Sequence, residues 1–301
     1  MKVIVHGGAG GAPDDPGPRQ AVLDEAAAAG ATTDDPVDAV EAAVRVLESS
    51  PRFNAGVGGA VQSDGVVRTD AGLMTSDRSL GAACSMPGVE HAVSVARVVM
   101  AETPHVLVSG EHAVELGENF GVEVGVDLWS DRTRERWADL EPPEGGPLDH
   151  LSWLADKFGS ADRSSDPTLG DGTGDPHDHD TVGAVAFDGE AFAAATSTGG
   201  RWVALAGRVG DVPQVGSGFY AAPAGAASAT GAGEDIARAT LTRRAVRHLE
   251  SGDDAQTAAD RAVDEFAELT GSSAGVIVLD RDGNAGAAFN SDAMQTSVDR
   301  R

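Results

Sequence analysis

Three threonine hydroxyls occupy positions from which they could do nucleophilic chemistry. Thr181, Thr196 and Thr198 lie in two apolar runs that are joined by Asp188-Gly189. An Asp-Gly pair between two such runs predicts a β-hairpin. With a two-residue loop, Thr181 lies opposite Thr196 with Thr198 as its diagonal neighbour, and all three side chains share one face. Threonine also favours strands for structural reasons alone, so this pattern leaves a purely structural role open.

Thr181 needs an activating base, because a free threonine hydroxyl is a weak nucleophile. An N-terminal threonine can use its own α-amine, whose pKa of roughly 7.7–8 suits general base catalysis near neutral pH. This requires cleavage between Asp180 and Thr181. Residues 164–180 have the low hydrophobicity and high charge of a flexible segment, which cleavage would leave as a loose tail. Composition alone favours an interdomain linker instead, and that alternative stays open here.

The elements that must position these threonines can be predicted from periodicity and from turn residues. Segments 2–5, 61–68, 80–86, 105–108, 181–187, 191–198, 275–279 and 285–289 are predicted strands, and 19–29, 36–48, 89–101, 111–119, 132–140, 234–250 and 255–269 are predicted helices. A linker of about residues 141–178 separates the two halves. Strands cluster in each half with helices between them, which predicts a layered α+β fold rather than regular βαβ alternation.

The net charge of the chain limits the kinds of molecule that it can bind. The 301 residues carry a net charge of −26 with a pI near 4.4, so nucleic acid is excluded as a partner. Only Lys2 and Lys157 are lysines among 22 basic residues, against 48 acidic ones. Such a chain repels itself unless salt screens its charges, so we expect a halophilic protein.

The remaining composition indicates a soluble protein of a reducing compartment. Cys84 is the single cysteine, which rules out an intrachain disulfide. The apolar run at the start is too short for a signal peptide, and no stretch approaches the roughly 20 apolar residues of a membrane span. We therefore expect a cytoplasmic protein with no membrane partner.

Six short motifs follow one another along the chain. They are His6-Gly7-Gly8-Ala9-Gly10, Phe53-Asn54-Ala55-Gly56, His179-Asp180-Thr181-Val182-Gly183-Ala184-Val185, Thr196-Ser197-Thr198-Gly199-Gly200, Gly207-Arg208-Val209-Gly210-Asp211 and Thr230-Gly231-Ala232-Gly233-Glu234. In this order and spacing they resemble the plant-type asparaginase and isoaspartyl peptidase family, which is related to glycosylasparaginase. The resemblance implies one N-terminal-nucleophile hydrolase domain over residues 1–301, with a four-layer αββα sandwich. It also implies self-cleavage into an α chain, 1–180, and a β chain, 181–301, and a homodimer of processed protomers.

The same resemblance implies roles for individual residues. Thr181 would attack first the preceding carbonyl, at the Asp180–Thr181 cleavage site, and then substrate amides. Thr198 would hydrogen-bond and tune this nucleophile, and Asn54 would support its amine. Thr230 and Gly231 would form the oxyanion hole, which agrees with their place just before a predicted helix. Without the family, Thr230 is equally typical of a helix cap.

Arg208 and Asp211 match the family's substrate clamp. An arginine grips a carboxylate with two parallel hydrogen bonds, and an aspartate can hold an ammonium group. Together they suit the free α-carboxylate and α-amine of an aspartyl group linked through its side chain. Taken alone, an Arg and an Asp three residues apart are more typical of a weak surface ion pair.

A loop between two predicted elements resembles the family's sodium site, which is built from backbone carbonyls. The implied ligands are the carbonyls of Leu47, Glu48, Ser50, Phe53, Ala55 and Val57. This structural sodium ion is the one metal that the resemblance implies, and no cofactor is required.

Departures from the family pattern affect the choice of substrate. Val203-Ala204 stand where members of the family often have Asn-Lys. The sequence His179-Asp180-Thr181 is the form of the cleavage motif that is found in glycosylasparaginase. We expect hydrolysis of L-asparagine or β-aspartyl dipeptides to release L-aspartate. A glycosylasparaginase-type amidase acting on asparagine-linked sugars is the alternative.

Other function classes have weaker support. Gly271-Ser272-Ser273-Ala274-Gly275 has the spacing of a serine-hydrolase elbow, but a predicted helix precedes it and a predicted strand follows, which is the wrong context. Neither a G-x-G-x-x-G nor a P-loop motif is present. The cluster His177-Asp178-His179-Asp180 keeps open an uncleaved acidic metal-binding or interaction protein.

Overall fold

The computed structural model describes residues 1–13, 15–158 and 181–301. Two β-sheets lie face to face, and helices cover the outer side of each sheet. The predicted α+β class and the αββα layering are confirmed.

The first sheet has strand order β11-β1-β5-β6-β2-β3-β4, and the second has β10-β9-β8-β7. Within the first sheet only the β3–β4 pair is parallel among the described strands. The strands are β1 (Lys2–Gly10), β2 (Arg68–Thr75), β3 (Leu80–Pro87), β4 (Leu107–Ser109), β5 (Val182–Phe187), β6 (Phe192–Thr198), β7 (Phe219–Ala222), β8 (Gly225–Gly231), β9 (Ala274–Asp280), β10 (Ala285–Phe289) and β11 (Ala293–Arg300).

Helices α1, α2 and α3 pack on the first sheet, and α8 and α9 pack on the second. Asp35 starts α2 because its carboxylate accepts hydrogen bonds from the Val37 and Asp38 N–H groups. The helices are α1 (Pro16–Ala31), α2 (Pro36–Glu48), α3 (Ala92–Glu102), α4 (Glu111–Asn119), α5 (Asp131–Ala138), α6 (Pro147–Phe158), α7 (Gly233–Ala239), α8 (Leu241–Glu250) and α9 (Ala255–Thr270). None of these helices is long and apolar enough, over the residues described, to cross a membrane.

The period-two alternation of the strands divides the core into layers. In β1, Val3 and Val5 face the helices, whereas Ile4 faces the second sheet. Phe219 of β7 spans the gap between the sheets. A β carbon at Gly72 of β2 would lie 2.0 Å from the Phe219 ring, so glycine is required for this close packing.

The predicted register of the hairpin is wrong by two residues. Phe187 pairs with Phe192 and Val182 pairs with Ser197, so the turn has four residues instead of two. The reason is the Asp188 carboxylate, which accepts hydrogen bonds from the N–H groups of residues 190 and 191, both at 2.7 Å. A shift of two residues keeps the faces unchanged, but it places Thr181 opposite Thr198 rather than opposite Thr196.

Several element boundaries also differ from the prediction. Residues 61–68 form a single bridge between Val61 and Val67, and the strand begins only at Arg68. The predicted helix 234–250 is broken at Thr240, whose φ is 54°. The predicted linker 141–178 is not structureless, since α6 lies within it. Residues 159–178 of the linker, the predicted metal cluster of residues 177–180 and the cleavage-site residue Asp180 lie outside the described residues.

Candidate active site

Thr181 lies immediately before β5 and is buried, with 8% of its surface exposed. Its hydroxyl donates a hydrogen bond to the Oγ1 atom of Thr198, at 3.1 Å. Thr198 is the last residue of β6 and is also buried. The two hydroxyls therefore meet at one end of the first sheet, shielded from water.

A loop that contains Asn54 supports Thr198 from the other side. The Thr198 hydroxyl accepts a hydrogen bond from the Gly200 N–H at 3.0 Å and lies 3.4 Å from the Asn54 carbonyl oxygen. The Asn54 side chain donates to the Gly200 carbonyl at 2.6 Å and accepts from the Ala60 N–H at 2.7 Å. Asn54 thus joins two loops beside the threonine pair, and neither of these two side-chain bonds is to Thr181.

Thr196 belongs to a different network, between the sheets. Its hydroxyl donates to the Gly218 carbonyl at 2.8 Å and lies 2.6 Å from the Ser228 hydroxyl. Ser228 in turn lies 2.9 Å from His6 Nε2. The expected convergence of three hydroxyls is therefore reduced to the pair of Thr181 and Thr198.

His6 is a buried group beside Thr181 to which the sequence-based reasoning gave no role. Burial lowers the pKa of His6 to about 3, although the nearby Thr181 backbone acts to raise it, so the ring is neutral. That backbone is close enough to influence the ring, yet His6 Nδ1 has no hydrogen bond of good geometry among the described residues. Its backbone pairs with Gly183, two residues after Thr181. The histidine of the first motif thus packs directly against the start of β5.

Thr230 and Gly231 end β8 and lead into α7. The predicted position before a helix is correct, but Thr230 does not cap that helix, because Ala232 is the N-cap residue. The Thr230 hydroxyl instead accepts a hydrogen bond from the Ala9 N–H at 3.3 Å. Gly231 has a φ of 135°, and an added β carbon would lie 2.5 Å from the Ser273 carbonyl oxygen. Its backbone conformation therefore depends on glycine.

Arg208 and Asp211 approach a common point, as a clamp would require. A β carbon placed on Gly233 would lie 2.7 Å from Asp211 Oδ1 and 2.9 Å from Arg208 Nη2. Asp211 is buried, and its Oδ2 atom has no hydrogen-bond partner among the described residues. Burial raises the pKa of Asp211 to about 7, against the lowering effect of the Arg208 charge. The two residues are thus not a solvated surface ion pair.

Two more acids, which the sequence-based reasoning did not assign, complete this charged cluster. Glu234 accepts hydrogen bonds from Arg208 Nε and Nη2, both at 2.8 Å. Burial acts to raise the pKa of Glu234, but these bonds and the Arg208 charge outweigh it and lower the pKa to about 2. Asp70 of β2 pairs with Thr198 across the strands, and burial raises the pKa of Asp70 to about 7. Glu234 is part of a quoted motif, whereas no sequence signal marks Asp70.

The predicted sodium loop is closed and tightly packed. The Val57 N–H donates to the Glu48 carbonyl at 2.9 Å, and the Phe53 N–H donates to the Ser50 carbonyl at 3.2 Å. Gly56 has a φ of 52°, and an added β carbon would lie 2.2 Å from the Glu48 carbonyl oxygen. The Glu48 and Ser50 carbonyl oxygens each keep a second lone pair, so these hydrogen bonds leave them able to coordinate a cation. Over residues 1–13, 15–158 and 181–301, no group of three or more His, Cys, Asp and Glu side chains could hold a metal.

The serine-hydrolase alternative is wrong. Helix α9 ends at Thr270, and β9 begins at Ala274. The motif at residues 271–275 therefore lies between a helix and a strand, which is the reverse of a nucleophile elbow.

Known proteins resemble this chain over nearly its whole length. The family model described as Asparaginase matches residues 1–301. The chain belongs to the asparaginase family. Similar proteins include the plant-type L-asparaginase of Pyrococcus furiosus, with 37% identity covering 98% of this chain and 94% of that protein. The isoaspartyl peptidase/L-asparaginase of Danio rerio is 36% identical, covering 96% and 89%.

Membership of the asparaginase family confirms the family prediction that was drawn from the six motifs. It also identifies the two-sheet architecture as an N-terminal-nucleophile hydrolase fold. The chain is also similar to the isoaspartyl peptidase/L-asparaginase of Mus musculus. The two are 35% identical over 98% of this chain and 86% of that protein. The chain is thus a hydrolase of the asparaginase family.

Proposed function

We propose that this asparaginase-family chain is a self-cleaving threonine amidohydrolase that releases L-aspartate from L-asparagine and β-aspartyl dipeptides. The hydrogen bond between the buried hydroxyls of Thr181 and Thr198 is the observation that carries this proposal. The names of the relatives, which combine L-asparaginase and isoaspartyl peptidase, support the choice of substrates.

Self-cleavage forms the nucleophile. Thr181 Oγ1 attacks the carbonyl carbon of Asp180, and its proton passes to the departing Thr181 nitrogen as the peptide C–N bond breaks. The resulting ester is hydrolysed by water, which leaves chains 1–180 and 181–301 within the single hydrolase domain. Thr181 then carries a free α-amine, which serves as its base.

Substrate hydrolysis repeats this chemistry. The α-amine accepts the Thr181 hydroxyl proton while Oγ1 attacks the side-chain amide carbonyl of the substrate. Thr230 and Gly231 stabilise the oxyanion, and the proton passes to the departing amine. Water then hydrolyses the acyl-enzyme and restores Thr181. Thr198 holds the Oγ1 atom in place, and Asn54 fixes the loop behind it.

Arg208 and Asp211 bind the aspartyl end of the substrate. Glu234 takes the Nε and Nη2 donors of Arg208, which leaves Nη1 to donate to the substrate α-carboxylate. Ionised Asp211 accepts the α-ammonium group, whose positive charge offsets the cost of burying this carboxylate.

We further propose three properties, of which the family resemblance implies two and the charge of the chain implies the third. The closed loop of residues 47–57 holds a structural sodium ion through its carbonyls, and no other cofactor takes part. The processed protomers form a homodimer. The charge of −26 and the scarcity of lysine suit a salt-rich cytoplasm.

Rates on a panel of substrates test the function. Ammonia or amine release is measured with L-asparagine, a β-aspartyl dipeptide and a glycosylated asparagine, for the wild type and for Thr181→Ala. The proposal predicts activity on the first two substrates and none in the variant. Activity on the glycosylated substrate alone would favour the glycosylasparaginase alternative, which the cleavage-motif sequence His179-Asp180-Thr181 supports. Activity of Thr181→Ala equal to that of the wild type would show that Thr181 is not the nucleophile.

A further inference from the structure

A small pocket lies beside the threonine pair, and its lining includes, besides Asn54, side chains that the proposed mechanism does not use. Arg132 and Arg136 of α5 and Trp202 of the loop after β6 form one side, and Asn54 forms part of the other. Asn54 connects this pocket to the nucleophile, because its carbonyl lies 3.4 Å from the Thr198 hydroxyl that binds Thr181. The substrate clamp of Arg208 and Asp211 does not line it.

The walls of the pocket are held rigidly. Trp202 meets Trp137 edge to face, with centroids 6.4 Å apart, and Trp137 meets Trp129 in the same way at 5.9 Å. Three of the four tryptophans of the chain therefore brace one wall. A capping box at the start of α5, formed by Ser130 and Thr133, fixes the helix that carries the arginines. Fixed walls lower the entropic cost of binding.

The charge of α5 is unusual for this chain. Acidic residues outnumber basic ones by 48 to 22, yet three arginines occur within the eight residues of α5. Arg134 pairs with Asp127 outside the pocket. Arg132 and Arg136 are four residues apart, so they share the face of the helix that lines the pocket. The guanidinium carbon of Arg136 lies 4.1 Å from the centre of the Trp202 ring, which orients this side chain.

The chemistry of this wall selects a carboxylate. Guanidinium groups match the planar geometry and the charge of a carboxylate, and two of them on one face can bind the same group. The pocket has room for about one water-sized group, a space that a carboxylate oxygen can fill.

We propose that Arg132 and Arg136 form a leaving-group subsite that binds the free C-terminal carboxylate of a β-aspartyl dipeptide. This inference rests on the proposed function, because it concerns the part of the substrate that departs as the amine. L-Asparagine has only ammonia at this position and gains nothing from the two arginines. The subsite therefore determines the preference between the two substrate types.

The test measures kcat/KM for a β-aspartyl dipeptide and for L-asparagine in each protein. Arg132→Gln and Arg136→Gln are compared with the wild type, and Arg134→Gln on the same helix serves as the control. We expect the ratio of dipeptide to asparagine kcat/KM to fall roughly tenfold to a hundredfold in the first two variants. The ratio is expected to stay unchanged in Arg134→Gln.

A second measurement needs no variant. Wild-type enzyme is assayed with the same dipeptide carrying a C-terminal amide, and the expected loss of kcat/KM matches that of Arg132→Gln and Arg136→Gln with the free acid. An unchanged kcat/KM ratio in both variants would show that Arg132 and Arg136 do not bind the C-terminal carboxylate. Equal wild-type activity on the acid and the amide would show the same. Those results leave the proposed function intact, whereas a wild type that hydrolyses neither substrate overturns both.

Discussion

Thr181 Oγ1 lies 3.1 Å from Thr198 Oγ1 at the ends of two neighbouring strands. The four-residue turn between the strands produces this pairing, because it places residue 181 opposite residue 198. Thr198 is itself held by the Gly200 N–H. The orientation of Thr181, the proposed nucleophile, therefore depends on a hydroxyl that the opposite strand supplies.

Removing the Thr198 hydroxyl is expected to lower kcat while leaving the substrate clamp intact. Thr198→Ala loses a hydrogen bond to the buried nucleophile, which corresponds to a decrease in kcat of roughly tenfold to a hundredfold. Self-cleavage, followed by intact mass, is expected to slow as well. Thr198→Ser keeps the hydroxyl and is expected to recover most of the activity. A Thr198→Ala enzyme with wild-type kcat would show that the contact is dispensable.

Substrate affinity is expected to depend on pH through Asp211. Because the pKa of this buried carboxyl is raised to about 7, it is largely neutral at pH 6 and cannot hold an ammonium group. KM is expected to rise as pH falls from 8 to 6, by up to about tenfold per unit below the pKa. Asp211→Asn is expected to have a high KM with little dependence on pH. Asp70→Asn removes a negative charge that helps to raise the Asp211 pKa, so it should move the rise in KM to lower pH. A flat wild-type KM over this range would rule out Asp211 as the ammonium ligand.

Asp70 is expected to make folding less favourable as pH rises. Its folded pKa of about 7 lies above the ordinary value of 3.8. Its contribution to stability is thus full below 3.8 and is lost as pH rises through 7, at no more than about 1.4 kcal/mol per unit. Asp70→Asn avoids this loss and keeps an acceptor for the Ser85 N–H. The difference in Tm between variant and wild type should therefore grow from pH 5 to pH 8. A constant difference would contradict the raised pKa of Asp70.

Salt is expected to stabilise the fold. A net charge of −26 repels itself, and the Debye length falls from about 10 Å at 0.1 M to about 3 Å at 1 M salt. Tm is expected to rise between 0.1 and 2 M KCl. Repeating the titration with NaCl at equal ionic strength separates sodium binding in the loop of residues 47–57 from general screening by salt. A bound sodium ion would raise Tm further in NaCl but not in KCl. A Tm that is unaffected by KCl would argue against a halophilic protein.

Much of the fold could be predicted where periodicity is strong. The bounds of α4 and β10 agree with the predicted segments, and α2 was located by its Pro36 start. Strands β7 and β8 were missed, because β7 has only four residues and β8 consists mostly of alanine and glycine, which are weak strand formers. The break at Thr240 was also missed, because no glycine or proline in the local sequence marks its left-handed backbone, whose φ is 54°.

The candidate site was predicted as motifs but not as a network. The faces of Thr181 and Thr198 followed from period-two alternation, yet the register depended on a side chain-to-backbone turn at Asp188 that the Asp-Gly pair does not specify. The charged cluster could not be foreseen, because Asp70 and Arg208 are 138 positions apart and meet only through sheet pairing. Burial then changes the protonation of its acids, which is a property of the fold and not of the sequence.

The intact mass of the purified protein tests the central claim most directly. Wild type and Thr181→Ala are incubated in concentrated KCl and measured side by side. Our account predicts two wild-type chains that meet between Asp180 and Thr181, and a single uncut chain for the variant. A wild-type chain that stays whole at high salt, or a variant that is cut at the same bond, would contradict Thr181 as the nucleophile.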